Sequence, residues 1–130
     1  VIGNKFRQAV VSHPYYDIVC KLGLLATFGG ILYFSLMPNY SASIVTFDGA
    51  DKLKHVFAYL VLGFAVSLVV PRRLFVLSLL GCWFLSGAIE LLQMLQPGRK
   101  ASWYDWCANG VGLILAFCAV YWLRLLYRAT

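Results

Sequence analysis

The stretch Asp51-Lys52-Leu53-Lys54-His55-Val56-Phe57-Ala58-Tyr59-Leu60-Val61-Leu62-Gly63-Phe64-Ala65-Val66-Ser67-Leu68-Val69-Val70-Pro71 decides the fold. Its first five positions hold four ionisable residues; Val56 to Val70 then carry no charge, and the run stops at a proline. Proline has no N–H and cannot continue a helix. An α-helix needs roughly 20 apolar residues to cross a bilayer. The pattern therefore predicts a membrane-spanning helix over 51–70.

Three further segments of this kind flank it. One covers about 18–37 and stops at Pro38; another covers about 73–95 and stops at Pro97-Gly98; the last covers about 105–127. Asp48 with Asp51, and Ser102 with Asp105, place capping groups at the positive ends of the second and fourth helices. Ala26 and Gly30, Gly87, and Gly112 and Ala116 offer small-residue faces for close packing.

Composition agrees. The 130 residues are 62% hydrophobic and 12% charged, with a mean hydropathy of +0.78. A soluble domain carries about 45–50% apolar and about 25% charged residues, so this chain cannot cover a core with polar surface. Strands are excluded by the length of the runs and by the cost of open sheet edges in hydrocarbon. The expected fold is all-α: one membrane domain over 1–130, a four-helix transmembrane bundle with short loops and up-down topology. The four cysteines, Cys20, Cys82, Cys107 and Cys118, show no CxxC or Cys/His spacing and read as small packing residues.

The net charge of +6 sits at the ends of apolar segments, which points to the membrane and away from nucleic acid. Lys5, Arg7, Lys21, Arg72, Arg73, Arg124 and Arg128 fall on one side of the four spans; Lys52, Lys54, Arg99 and Lys100 fall on the other. By the positive-inside rule the side with seven is cytoplasmic, and both termini lie there. Val1 to Ser12 is polar and mildly basic and lacks the pattern of a cleavable signal peptide. The expected location is the bacterial cytoplasmic (inner) membrane, multi-pass, among membrane lipids and other integral membrane proteins as partners.

The chemistry concentrates at the opposite end of the bundle. Asp51, His55 and Tyr59 are spaced by four and share a helical face; so do Glu90 with Gln93, and Asp105 with Asn109 and Gly112. His55, Glu90 and Asn109 each lie roughly 6–8 Å inside a predicted helix end at 1.5 Å per residue. All three ends are on the same side. Three polar faces are thus expected to meet in one layer, where ionisable groups need a partner or a wet cavity. The candidate ligand-binding residues are Asp51, Lys52, His55, Tyr59, Glu90, Gln93, Arg99, Ser102, Asp105 and Asn109. Arg99, Lys100, Lys52 and Lys54 could take a phosphate or carboxylate, Arg99 in bidentate fashion. His55, Glu90 and Asp105 are the acid–base candidates. The bland reading is interhelical glue from polar side chains, with Asp51 and Asp105 as helix caps and Trp103, Tyr104 and Trp106 as interface aromatics.

These residues resemble the VanZ-like family, named for an accessory protein of teicoplanin resistance. The matching signatures are Asp51-Lys52-x-x-His55-x-x-Ala58-Tyr59-x-x-Leu62-Gly63, Glu90-x-x-Gln93, and Pro97-Gly98-Arg99-x-x-Ser102-x-x-Asp105-x-x-x-Asn109-x-x-Gly112. Lys100 departs from the small or hydroxyl residue of many relatives. The resemblance implies a small multi-helix membrane protein linked to envelope maintenance or glycopeptide susceptibility. No P-loop, nucleophile elbow or zinc signature is present, so neither cofactor nor metal is assigned. Three functions compete: an envelope protein binding a lipid-linked or anionic polar ligand, an accessory subunit of a larger membrane complex, and a membrane enzyme acting on a lipid headgroup. The sequence leans away from the enzyme.

Overall fold

The computed structural model describes residues 11–37, 49–98 and 100–129. Four long helices follow one another: α1 (Tyr16–Leu36), α2 (Ala50–Val69), α3 (Phe75–Gln93) and α4 (Trp103–Ala129). No strand occurs among the described residues. All four helices are long and apolar enough to cross a membrane, α3 counted with the 3₁₀ turn Arg72–Leu74 that leads into it.

Local chemistry sets the ends. Val70 leaves the helical region (φ −89°, ψ 136°) because it precedes Pro71, whose ring crowds the helical conformation of the residue before it. α3 stops at Gln93 rather than near Leu95. There the N–H groups of Met94, Leu95 and Gln96 each bond three residues back, to Leu91, Leu92 and Gln93, the tight final turn that often closes a helix. Gly98 then turns the chain with φ +79°, a conformation side chains resist. α4 begins at Trp103 because Ser102 caps it: Asp105 N–H donates to Ser102 Oγ at 3.2 Å. Gly49, with φ +96°, precedes α2 and makes no side-chain cap. The expected cap from Asp48 lies outside the described residues.

Within the up-down arrangement the most extensive seam joins α2 and α4, which run parallel. Gly63 lies against Ala116, Gly112 lies against Val56, Tyr59 and Leu60, and Lys52 meets Asp105. The residue numbers advance together by about 53 along the seam, the signature of a parallel, in-register contact. A Cβ on Gly112 would sit 2.9 Å from the Leu60 nitrogen and 3.0 Å from Tyr59 Cβ, closer still to the Val56 carbonyl oxygen. Only glycine permits this approach.

α3 runs antiparallel to α4. Phe75 stacks near Phe117 and Trp83 on Trp106, so the numbers fall on one helix as they rise on the other. The apolar core lies between α2, α3 and α4: Tyr59, Leu62 and Val66, Phe75 and Leu79, Leu113 and Val120. Outside it, Leu77, Phe84, Leu85, Ile114 and Trp122 are exposed on the bundle surface, as expected of residues whose solvent is lipid.

α1 is attached differently. It has no buried residue, and only Leu24, Phe28 and Ile31 reach the core as partly buried side chains. Its C-terminal carbonyls are taken by the end of α3 and the turn after it: Gln93 Nε2 donates to Ser35 O at 2.9 Å, and Gln96 Nε2 donates to Leu36 O. Both carbonyls lie in the last turn of α1, where the two glutamines act as an external cap. The close-packing face expected at Gly30 is not there, since a Cβ on Gly30 would meet nothing within 4 Å. The larger Leu24, Phe28 and Ile31 make the contacts instead.

Candidate functional site

The in-register pairing of α2 and α4 brings two helix starts side by side. Asp51 and His55 come from α2, Asp105 and Asn109 from α4, and antiparallel α3 adds Glu90 from its final turn. His55 Nδ1 lies 2.9 Å from Asn109 Oδ1. An amide oxygen can only accept, so Nδ1 carries a hydrogen in this contact, and it is Nε2 that is free to bind a metal ion or a further partner. Nε2 faces Asp105 Oδ2 at 3.9 Å, and Nδ1 is 3.9 Å from Glu90 Oε1. Neither is a hydrogen bond at that distance.

Lys52 makes the one close ion pair of the layer among the described residues, Nζ to Asp105 Oδ1 at 2.6 Å. Its own side chain is half-exposed while the aspartate is nearly buried. Glu90 is buried, and its Oε2 has no hydrogen-bond partner among the described residues. The Ser102 backbone N–H faces the same carboxylate. Asn109 is almost completely enclosed at 1% exposure, so its orientation of His55 is fixed by packing as well as by the hydrogen bond. The ligating atoms of Asp51, His55 and Asp105 all lie within 4.8 Å of one another.

Not every predicted residue joins this layer. Tyr59 shares the His55 face but lies one turn deeper, in the apolar core with its side chain toward Ser86. Gln93 turns to α1 and the Ser35 carbonyl. Ser102 is engaged as the α4 cap. Arg99 lies outside the described residues. Lys100 is exposed.

Two features have no counterpart in the sequence reading. Trp83 Nε1 donates to the Trp106 carbonyl at 3.2 Å, Trp106 Nε1 donates to the Trp83 carbonyl at 2.9 Å, and the indoles stack at 4.6 Å. Trp106 is thus a clasp between α3 and α4, whereas Trp103 and Tyr104 are exposed as interface aromatics should be. The signal was available in Gly87 and Gly110, which leave room for the opposing rings. The second feature is a groove of about 730 Å³ between α1 and α2. Ala26, Gly30, Ile31, Phe34, Phe57 and Val61 form its apolar length. Asp51, Lys54, His55, Ser35 and Gln93 form its polar end. Phe34 and Phe57 on its rim are strongly exposed, so the groove opens sideways from the bundle.

A family model described as VanZ/LLP1 matches residues 2–125. The chain belongs to the VanZ/LLP1 family. No curated protein and no solved structure matches it. Four apolar spans and this membership make the chain a multi-pass membrane protein. In this VanZ/LLP1 protein the three sequence signatures fall on α2, on the end of α3, and on the loop and start of α4. The layer is where those three places meet.

Proposed function

We propose that the protein sits in the bacterial cytoplasmic membrane with both termini inside and binds an anionic amphiphile at its outer end. The observation that carries this reading is the α1–α2 groove, apolar along its length and ionisable at one end. An acyl or prenyl chain fits the apolar part. The headgroup then meets Lys54 and His55 at the depth where α2 begins. Lys54 is the cation best placed for a phosphate among the described residues, because Lys52 is already paired with Asp105. Lysine serves such a group as a point charge. The role that follows is envelope maintenance through a lipid-linked ligand, with glycopeptide susceptibility as its physiological readout.

The test is lipid identification by native mass spectrometry of protein extracted in mild detergent. Gly30→Leu fills the groove from a position where an added side chain meets nothing. It is expected to remove bound lipid several-fold while leaving the melting temperature unchanged. Lys54→Ala is expected to lower the share of anionic species in what remains. An identical lipid complement in wild type and both variants would sink the reading.

A further inference from the structure

Asp51 and His55, which close the polar end of the groove, also carry a second chemistry together with Asp105. The structure assigns Asp51, His55 and Asp105 as ligands of one divalent transition-metal ion of the Zn²⁺ class, bound at the outer end of α2 and α4. The first ground is the donor set. One imidazole nitrogen and two carboxylates within 4.8 Å of one another suit a borderline divalent ion better than Mg²⁺ or Ca²⁺, which prefer oxygen alone.

The second ground is the state of the imidazole. Asn109 Oδ1 holds Nδ1–H at 2.9 Å, the outer-shell hydrogen bond that fixes the tautomer of a metal-binding histidine. This points the Nε2 lone pair at Asp105 Oδ2, 3.9 Å away. Two donors at about 2.0–2.2 Å from a common Zn²⁺ ion stand roughly 3–4 Å apart. The spacing is too long for a hydrogen bond and right for two ligands. Asp51, exposed one turn earlier on the same helix, can close the third position by a rotamer change.

The third ground is independent of those three residues. Glu90 is buried in the same layer, its side chain 6% exposed, and its Oε2 lacks a hydrogen-bond partner among the described residues. Among the described residues, Glu90, Asp51 and Asp105 bring three carboxylates beside the ammonium groups of Lys52 and Lys54. A buried carboxylate such as Glu90 is costly at membrane depth, and a divalent ion in the same layer lowers that cost. Lys52 is then the competitor: its half-exposed ammonium swings to water as Asp105 turns to the metal. The zinc spacings sought in the sequence are local ones, and this set is divided between helices more than fifty residues apart.

The experiment is calorimetric titration of chelator-stripped full-length protein in detergent with ZnCl₂, and separately with MgCl₂. One Zn²⁺ per chain is expected, with no Mg²⁺ binding. Asp51→Asn changes an exposed residue and is expected to fold normally with affinity at least about tenfold weaker; Asn109→Ala, one shell out, is expected to lose about 10- to 100-fold. Lys52→Gln is expected to bind more tightly than wild type. No binding by wild type overturns the assignment. So does binding that survives Asp51→Asn unchanged, or binding that vanishes with Cys107→Ser/Cys118→Ser, whose thiols are exposed. Gly30→Leu leaves the metal titration unaltered, which separates this result from the fate of the lipid groove.

Discussion

Replacing Gly112 by alanine tests how far the site depends on a backbone contact one turn below it. The added Cβ would stand 3.0 Å from Tyr59 Cβ and nearer to the Val56 carbonyl oxygen. Both neighbours belong to the backbone or the first side-chain carbon, so no rotamer change relieves them. Ordinary carbon–carbon contact is about 3.5–4.0 Å, so α2 and α4 must part by roughly 0.5–1 Å. Overpacking of this kind costs about 1–3 kcal/mol. The same separation stretches the 2.9 Å His55–Asn109 bond beyond hydrogen-bonding range, which forfeits about 0.6–1.7 kcal/mol more for an interhelical bond in a membrane. The expected loss is about 2–4 kcal/mol, read by unfolding titration in mixed micelles, with reduced Zn²⁺ affinity in the same sample. Gly30→Ala is the control, since its Cβ meets nothing, and it should be neutral or slightly stabilising. Equal unfolding midpoints for Gly112→Ala and Gly30→Ala would refute the packing argument.

Asn109→Leu removes the acceptor of His55 while keeping the number and branching of side-chain heavy atoms, and the lost bond should cost about 0.6–1.7 kcal/mol by the same titration. That is less than Gly112→Ala; a larger loss than the glycine variant would mean that the hydrogen bond, not the close approach, organises the seam. Topology is checked by thiol labelling. With Cys107 and Cys118 replaced by serine, a cysteine at Lys100 should react with a membrane-impermeant maleimide in intact cells, and one at Thr130 should react only after lysis. The reverse pattern would invert the orientation drawn from the lysine and arginine count.

Much of the architecture was legible because a membrane leaves few choices. The proline at 71, the Pro97-Gly98 pair and the uncharged runs between them locate four spans without any knowledge of contacts. The polar layer was legible for the same reason: Asp51–His55 and Asp105–Asn109 repeat the helical period close to helix starts. The partner of each helix was not. A glycine on a lipid-facing surface and one in a seam look alike in sequence, so Gly30 and Gly112 invite the same expectation and receive opposite surroundings. The parallel register of α2 and α4 depends on a spacing of about 53 residues, which no local pattern encodes. Gln93 read as part of the cluster because it sits three residues after Glu90. It does line the polar end of the α1–α2 groove, but the bond of its amide to the Ser35 carbonyl is a contact between distant helices that an i, i+3 step does not reveal.

The way α1 is held bears on how the protein is made. Translation delivers α1 first, yet Gln93 and Gln96, which receive its last carbonyls, lie at the end of the third span. The last carbonyls of α1 therefore gain these partners only once the third span has been inserted. A ribosome stalled between the second and third spans would leave a nascent chain that has both walls of the α1–α2 groove but lacks the Gln93 that helps close its polar end.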